Sequence, residues 1–412
     1  MRIESIVSTV GLNGFAHKDL AGIKTGAPPN GFFYDGKAVT PGFREISQTG
    51  RVLSVMLKLS DGLVAFGDCL DVIFAGAAGR DRLFDPDEHV ETIRTVVAPL
   101  LVGREVSVFR HLAEEVDALT VDGKSLHTAL RYGLSQALLH ASSLARRQTM
   151  AQVIAEEYGT TPGQQRVPIL VSIPKTDPFV LDRMIMKQAE LLPHASFTVV
   201  EADLGRDGGK LIDYAASLSR RIDEVGAPDY RPTIHLDTYG TIGELFDCDI
   251  SAIVGYLARV EAAAAPYRLF IESPIVAATM EQQISHYREL REAIRAAGLS
   301  VRVIVDEWCN TLDDIRRFGE AGAADFVQIK APDLGGLTNT IEAINYCRSI
   351  GLGCCLGGTA NDTDQAARIT SHIGIACGPD FLLGKPGLGG DAALMLMRNE
   401  MERTITLHRV LE

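Results

Sequence analysis

The sequence predicts an α/β protein, in which a TIM (β/α)8 barrel over residues 161–412 follows an N-terminal α+β domain over residues 1–160. Up to about residue 147, strand patterns come first and helical patterns second, which is typical of an α+β unit. The stretch TTPGQQ at residues 160–165 is typical of a linker. Beyond it, eight short apolar runs recur at intervals of about 25 to 37 residues, the length of a βα unit.

The N-terminal domain is predicted to begin with an antiparallel sheet. Residues 1–11 alternate apolar with polar side chains, and residues 43–59 and 62–66 are rich in β-branched and alternating positions. Thr49-Gly50 and Asp61-Gly62 are expected to form hairpin turns. Apolar residues spaced three and four apart then predict three helices, at residues 85–101, 106–119 and 125–145, the last with Ser125 as its N-cap.

The barrel strands are predicted at the eight apolar runs. Most of the segments between them have helical periodicity, for example residues 280–297 and 312–321. Eight strands that alternate with helices close most simply into a TIM barrel. In chain order, the predicted strands are residues 168–173, 197–200, 234–237, 269–272, 301–306, 326–330, 354–356 and 381–383.

Composition excludes several classes of function. The chain carries 53 acidic and 40 basic residues and a formal charge of -13, which disfavours binding to nucleic acids and to anionic membranes. No apolar run approaches the roughly 20 residues of a transmembrane helix. The N-terminus lacks the continuous apolar core of a secretory signal. The seven cysteines are odd in number and never in a CxxC spacing, which predicts reduced thiols and a cytoplasmic protein.

Four consecutive predicted barrel strands end in ionisable residues: Asp237, Glu272, Asp306 and Lys330. Functional side chains of TIM barrels lie at the C-terminal ends of the strands, where these residues converge. Any one of the acids is more simply a helix cap or a solvated loop charge. Three carboxylates on adjacent strands repel one another unless a hard cation neutralises them, so the ordered set predicts a Mg²⁺ site.

Lys330 is the candidate base beside this metal site. A divalent charge and partial burial both disfavour the ammonium form, so its pKa is expected to fall toward neutrality. The alternative is a lysine whose charged end reaches outward to solvent. Gln328 lies two residues earlier on the same strand and is therefore expected on the same face as Lys330.

The chain resembles the methylaspartate ammonia-lyase family of the enolase superfamily, in which a capping domain precedes a barrel that holds magnesium. DEWCNT-type and QIKxPDLGG-type motifs carry the family resemblance, while single acids at strand ends mark only the superfamily. The matching stretches run along nearly the whole chain: AGAAGRD (75–81), LHTALRYGLSQA (126–137), LLPHA (191–195), HLDTYGTIG (235–243), VDEWCNT (305–311), VQIKAPDLGG (327–336), GGT (357–359) and KPGLGGD (385–391).

The resemblance implies a magnesium-dependent elimination of ammonia from 3-methylaspartate through an enolate, giving an unsaturated dicarboxylate such as mesaconate. It also implies that Asp237, Glu272 and Asp306 are the magnesium ligands and that Lys330 is the base. His194 is implied on the opposite face of the substrate, and with Gln328 it contacts the metal-bound carboxylate. A homodimer is implied as well, whereas a need for a monovalent cation such as K⁺ stays open.

A second carboxylate subsite is expected at Gly357-Gly358-Thr359, directly after the seventh barrel strand. Exposed backbone N–H groups and the Thr359 hydroxyl can together hold an anion there. The simpler alternative is an ordinary turn.

The departures from the family pattern fall in the expected substrate pocket. Ile73 and Ser172 stand where the family has glutamines for the substrate amine and the distal carboxylate. Ala360, Cys355 and Leu170 replace a cysteine, a tyrosine and a phenylalanine, while Leu383 is kept. A site that loses amide hydrogen bonds changes which substrate it accepts, so the catalytic groups are expected to be retained and recognition to be altered.

Four functions therefore remain open at the level of sequence. The first is full methylaspartate ammonia-lyase activity. The second, which Ile73 and Ser172 favour, is the same enolate chemistry on another substrate, such as a substituted or larger aspartate, an N-substituted amino acid or one with a different leaving group. The third is a racemase or dehydratase that uses the same proton abstraction. The fourth, a metal-binding protein without catalysis, is disfavoured by the complete set of three carboxylates and Lys330.

Overall fold

The N-terminal domain contains a three-stranded antiparallel sheet, as expected. The computed structural model describes residues 1–411. Strand β1 spans Ile3–Lys18, β2 spans Ser47–Leu59 and β3 spans Val64–Cys69, with β2 in the centre. Two small hairpins have strands of two residues each: Pro29–Asn30 pairs with Phe33–Tyr34, and Thr120–Val121 pairs with Lys124–Ser125.

The helices of this domain pack on the sheet. A short helix spans Leu20–Lys24, and the segments Pro86–Thr92 and Ala98–Leu101 are joined by a π-helical turn at Ile93–Val97. Further helices span Phe109–Asp117, Thr128–Arg146 and Met150–Tyr158. The Thr128–Arg146 helix is covered by the sheet along most of its length, and its buried residues belong to the main apolar core.

The eight-stranded parallel barrel is confirmed and closes without an edge. Its strands in chain order are β4 Ile169–Leu170, β5 Leu191–Ser196, β6 Thr233–Asp237, β7 Arg268–Glu272, β8 Arg302–Val305, β9 Phe326–Ile329, β10 Gly353–Leu356 and β11 Phe381–Leu383. Around the barrel β4 neighbours both β5 and β11, which closes the ring. The carboxyl ends of all eight strands therefore meet at one mouth.

Helices surround the barrel between the strands. They span Pro178–Met186, Val200–Leu204 (a π-helical turn), Gly209–Val225, Thr241–Leu245, Ile250–Ala264, Met280–Ala296, Leu312–Glu320, Ala331–Leu334, Leu337–Ile350, Asp364–Cys377, Pro386–Leu388 (a 3₁₀ turn) and Gly389–Leu411. Within residues 1–411, no helix combines the length and the apolar character that a membrane crossing requires. The predicted domain boundary at 160/161 falls between the helix Met150–Tyr158 and β4, and it stays a prediction.

The second barrel strand was predicted in the wrong place. The sequence analysis put it at residues 197–200, whereas β5 spans Leu191–Ser196 and a π-helical turn begins at Val200. The observed strand contains Pro193, which cannot donate a ladder hydrogen bond and therefore argues against a strand by local rules. The pairing of β5 with β6 is irregular at this point, which accommodates the proline.

Two local features of the N-terminal domain also differ from expectation. Thr49-Gly50 is not a turn, because it lies inside β2, where β1 has a bulge and Asn13 packs directly against Gly50. Ser125 is not the N-cap of the long helix, because it belongs to a two-residue strand. The cap is His127, whose Nδ1 accepts from the Ala129 N–H at 3.1 Å. The predicted turn at Asp61-Gly62 is confirmed.

The close contact of β3 with the helix Thr128–Arg146 requires glycine at two facing positions. A Cβ on Gly133 would collide with the backbone of Cys69, and a Cβ on Gly67 would collide with the backbone of Gly133. Neither residue has a positive φ, so the requirement is for space and not for backbone freedom.

We therefore expect Gly133→Ala to lower the free energy of unfolding by about 1–3 kcal/mol, the usual cost of overpacking a core. The matched control is Gly255→Ala in the helix Ile250–Ala264, where no atom lies within 4 Å of the added Cβ. That change should stabilise the protein by about 0.5–1 kcal/mol, because alanine is the better helix former. Thermal unfolding of both variants checks the prediction, and equal melting temperatures would contradict it.

Candidate active site

Three carboxylates lie at the mouth of the barrel. Asp237 and Glu272 end the neighbouring strands β6 and β7 and are paired across them, and Asp306 directly follows β8. Their exposed fractions are 1%, 1% and 2%. Within the described chain, Asp237 Oδ2, Glu272 Oε2 and Asp306 Oδ1 have no hydrogen-bond partner. Buried carboxylate oxygens without donors are costly, so the arrangement fits a bound hard cation.

The carboxylates on β6 and β7 perturb each other's ionisation. Burial and the adjacent charge of Glu272 raise the pKa of Asp237 well above its usual range. Burial acts in the same direction on Glu272, but the rings of His194 and His235 outweigh it and hold the pKa of Glu272 well below its ordinary value. Glu272 is therefore ionised while Asp237 resists ionisation, and a cation between them would favour the charged form of both.

His194 and His235 lie against the same carboxylates. His194 Nε2 is 3.6 Å from Asp237 Oδ2 and 3.6 Å from Glu272 Oε2. His235 Nε2 is 3.0 Å from Glu272 Oε2, although the two atoms are not aligned as a hydrogen bond. Ligand atoms of His194, His235 and Glu272 lie within 4.8 Å of one another, so these residues form a second possible metal-binding set that shares Glu272.

His194 reaches the site from a barrel strand. The predicted strands at residues 168–173 and 197–200 left His194 in the connection between them. Because β5 begins at Leu191, His194 is instead part of the strand and lines the cavity directly. Its position beside Asp237 and Glu272 thus follows from the barrel itself.

Lys330 and Gln328 face the cavity together, as their two-residue spacing predicted. Lys330 Nζ lies 2.5 Å from Asp306 Oδ2. The Gln328 Nε2 group donates to Glu272 Oε1 at 2.9 Å. The two side chains therefore contact the carboxylates of β8 and β7, respectively, and the simpler alternative of an outward-pointing Lys330 is wrong.

The charge around Lys330 differs from the expectation. Burial lowers the pKa of Lys330, and so does the neighbouring Arg80 cation, but Asp306, Glu307 and Asp333 raise it more strongly. The net pKa lies above the ordinary lysine value, where the sequence analysis expected a lowered one. A divalent cation on Asp306 would cancel the effect of that carboxylate and would therefore lower the pKa of Lys330.

A cavity of about 680 Å³ opens above these residues, between the barrel mouth and the N-terminal domain. The N-terminal domain contributes Phe15, Lys18 and the segment 72–74 to its wall. Ten of the residues singled out from the sequence line it: Ile73, Ser172, His194, Asp237, Glu272, Gln328, Lys330, Thr359, Ala360 and Leu383.

Cys355 and Leu170 do not line this cavity. Both are completely buried in a small apolar cluster inside the barrel, together with Leu191, Phe270 and Ile304. Matching positions along a strand does not show how deep in the barrel each side chain lies. Their contribution to a pocket wall is therefore not supported by the geometry.

The turn Gly357–Thr359 uses part of its hydrogen-bonding capacity within the protein. The Gly357 N–H donates to the Ile329 carbonyl at 2.9 Å, and the Thr359 N–H donates to Asp362 Oδ2 at 3.0 Å. Asp362 in turn pairs with Lys385 at 2.8 Å, and both side chains are fully buried. Two of the three N–H groups expected to hold a substrate anion are thus occupied, and the Thr359 hydroxyl remains able to donate.

Besides His235, the residues Arg80, Glu307 and Tyr239 at the site were not assigned a role from the sequence. Arg80 comes from the N-terminal domain, its side chain is 3% exposed, and it lies between Asp306 and Asp333. Glu307 is buried and pairs with the Ser273 hydroxyl. Tyr239 lines the cavity with a positive φ of 44°. Arg80 and Glu307 stand inside quoted motifs, but no spacing rule connects a residue of one domain with a strand end of another.

Comparisons with known proteins agree with this architecture. A family model for the methylaspartate ammonia-lyase N-terminus matches residues 1–159, and one for the C-terminus matches residues 143–410. The chain is 46% identical to methylaspartate ammonia-lyase 2 of Carboxydothermus hydrogenoformans over 99% of this chain and 98% of the relative. It is 43% identical to the methylaspartate ammonia-lyase of Clostridium tetanomorphum, over 99% of each.

Solved structures agree at the level of the whole fold. The crystal structure of β-methylaspartase from Clostridium tetanomorphum superposes with a TM-score of 0.93 at 42% identity and covers 100% of both chains. The Citrobacter amalonaticus methylaspartate ammonia lyase gives 0.95 at 40% identity, covering 99% of this chain and 100% of the other. A muconate lactonizing enzyme from Pseudomonas fluorescens, at 15% identity, shares the fold with a TM-score of 0.64. The full-length matches show that this chain belongs to the methylaspartate ammonia-lyase family.

Proposed function

We propose that this protein is a magnesium-dependent C–N lyase that eliminates ammonia from 3-methylaspartate and yields an unsaturated dicarboxylate such as mesaconate. The observation that carries the proposal is the set of three buried carboxylates beside Lys330, each with one oxygen that lacks a hydrogen-bond partner, at the base of an accessible cavity. The names of the relatives support the reaction. One solved relative is a Mg complex, and another contains (2S,3S)-3-methylaspartic acid.

Asp237, Glu272 and Asp306 are the residues that would hold magnesium. Their free oxygens supply the oxygen donors that this hard cation prefers, whereas the His194, His235 and Glu272 set is better suited to a transition metal. Bound magnesium would stabilise the negative charge that develops on the substrate carboxylate when a proton is removed beside it. The remaining chemistry belongs to side chains of the protein.

Lys330 is the group proposed to take the proton from the carbon beside the substrate carboxylate. A cation on Asp306 would offset the carboxylate that pairs with Lys330, and burial and the Arg80 cation both favour the neutral amine that can accept a proton. The electron pair of the broken C–H bond forms the double bond, and the C–N bonding pair leaves with ammonia. Lys330 retains the proton and returns it to solvent before the next cycle.

The other cavity residues are proposed to bind and orient the substrate. His194 lies on the β5 side of the carboxylates, across the mouth from Lys330 on β9. Gln328 is held by Glu272 and presents its amide to the cavity. Thr359, Ala360, Ser172 and Leu383 complete the barrel side, and Ile73 faces them from the N-terminal domain.

A second candidate is the same elimination on a larger, substituted aspartate. The cavity volume of about 680 Å³ corresponds to roughly twenty water volumes, more than 3-methylaspartate fills. Its N-terminal-domain wall is apolar at Val72, Ile73 and Phe74, and Ile173 and Pro174 add to the apolar surface from the barrel. Apolar surface without amide donors favours a substrate with an apolar substituent. Racemisation or loss of water after the same proton abstraction has no observation of its own in its favour.

Two further expectations remain proposals. The family resemblance supports a homodimer, for which sedimentation of the purified protein is the test. The seven cysteines, none of which forms a disulfide in the described part of the chain, are compatible with the reducing cytoplasm.

We expect Lys330→Met to lower kcat by about 10²–10⁴-fold, the usual contribution of a positioned base. The measurement is the absorbance of the unsaturated product formed from 3-methylaspartate, with the melting temperature as a check on folding. Lys187→Met is the control, because that lysine is partly exposed and pairs with Asp391 away from the cavity. Removal of Mg²⁺ by a chelator should abolish wild-type activity reversibly. A Lys330→Met enzyme within tenfold of wild type would contradict the assignment.

We expect Ile73→Gln to shift specificity toward 3-methylaspartate and away from its N-alkyl derivatives. An amide at this wall can hydrogen-bond an unsubstituted amine, which is worth about 1–3 kcal/mol when the group is otherwise buried and unpaired. The ratio of kcat/KM for the two substrates should therefore change by about tenfold or more. Ile73→Leu is the matched control and should leave the ratio unchanged. A ratio that is the same in wild type and Ile73→Gln rules out Ile73 as a specificity determinant.

A further inference from the structure

Arg80 is a residue of the N-terminal domain that is inserted into the charged cluster of the barrel. Its Nε donates to Asp333 Oδ2 at 2.9 Å, and its Nη2 lies 3.6 Å from Asp306 Oδ2. Among residues 1–411, Nη2 has no hydrogen-bond partner. Arg80 also lines the substrate cavity. Arg80 is thus a buried guanidinium that contacts two acids of the barrel and keeps one nitrogen without a partner. A surface ion pair needs neither the burial nor the second acid.

The loop that carries Arg80 is fixed on the barrel by close contacts. Ala78 and Gly79 both have positive φ, and the Asn310 side chain donates to the Ala78 carbonyl at 2.8 Å. Gly79 lies against the Trp308 ring, where a Cβ would be 3.4 Å away. Asn310 and Trp308 belong to the segment that follows Asp306, so the loop and the carboxylate are held by the same part of the barrel. Arg80 is therefore placed with little freedom to move.

Asp333 is the partner of Arg80 that lies close to Lys330 along the chain. Asp333 lies one turn after Lys330, and its N–H donates to the Lys330 carbonyl at 3.0 Å. The Asp333 side chain is 7% exposed and is paired with Arg80. Arg80 occupies Asp333 Oδ2, which leaves Lys330 Nζ on Asp306 at the cavity. Without Arg80, Asp333 would be a buried and unpaired acid one helical turn from Lys330, and this lysine would be available to pair with it.

We infer that Arg80 is a positioning residue for Lys330: by neutralising Asp333 it keeps the lysine directed at Asp306 and the cavity. The N-terminal domain thereby supplies a positioning residue that the barrel alone does not contain. The inference rests on the proposed function only for its kinetic consequence, because the position of Lys330 can be observed without a substrate.

The test is a double-mutant cycle that consists of the wild type, Arg80→Met, Asp333→Asn and the double variant. For each protein, the kinetics with 3-methylaspartate are measured and a crystal structure is determined. Arg80→Met should lower kcat by about 10²-fold, the cost of misplacing a catalytic group by about 1 Å, with KM changed less than about threefold. Its crystals should show Lys330 Nζ on Asp333. The kcat of the double variant should be at least about tenfold higher than that of Arg80→Met, because the competing charge is gone.

Two single variants keep the test decisive if Arg80→Met folds poorly. Asp333→Asn retains an oxygen that accepts from Arg80 Nε, so it should keep Lys330 on Asp306 and lose less than about threefold in kcat. Arg80→Lys should be partly active, because one ammonium can still satisfy Asp333. Arg82→Met is the control, since this exposed neighbour pairs only with Glu88 among the described ion pairs.

A purely structural role for Arg80 predicts different results. In the double variant, the loss in kcat caused by Asp333→Asn would then add to the loss caused by Arg80→Met. Lys330 Nζ would stay on Asp306 in every crystal. Either observation overturns the inference. A wild-type enzyme that is inactive on 3-methylaspartate while Lys330 moves to Asp333 in Arg80→Met would contradict the proposed function alone.

Discussion

The rest of this structure depends on the accumulation of negative charge at one end of the barrel. Asp237, Glu272, Asp306 and Glu307 are buried there, and the Asp333 side chain lies beside them. Lys330 and Arg80 provide two positive charges, too few to balance five carboxylates. Every other feature of the site can be understood as a response to this excess: histidines against Glu272, an amide from Gln328, an arginine from the other domain, and donor-free oxygens that require a cation.

The site residues that could be predicted from the sequence are those that the regular alternation of strand and helix places at the ends of barrel strands. Asp237, Glu272, Asp306 and Lys330 were identified because each ends an apolar run of predictable length. His194 was misplaced because Pro193 makes a genuine strand look like a loop. Ser125 and Thr49-Gly50 failed for similar reasons, since a histidine cap and a bulge replaced the commoner local solutions. Arg80 could not be derived, because its partners are more than 200 residues away along the chain.

Of the pocket positions that the family pattern suggested, some line the cavity and others do not. Ile73, Ser172 and Ala360 lie on the cavity wall, whereas Cys355 and Leu170 fill the barrel interior beneath it. Alignment along a strand gives register, but depth depends on how neighbouring side chains pack. The barrel mouth holds the carboxylates and Lys330, whereas the N-terminal domain provides the apolar segment 72–74 together with the cations Lys18 and Arg80. Such a division allows the substrate to change while the proton-transfer groups stay in place.

The central claim is that the excess negative charge is neutralised by magnesium bound to Asp237, Glu272 and Asp306. The most direct measurement is a crystal structure of the wild-type protein grown with Mg²⁺, with Mn²⁺ substituted in a second crystal to locate the ion by its anomalous signal. The account predicts one ion per chain, with oxygen atoms of all three carboxylates at about 2.0–2.1 Å in the magnesium crystal. An ion held by His194, His235 and Glu272, or no ordered ion among the carboxylates at saturating Mg²⁺, would contradict it.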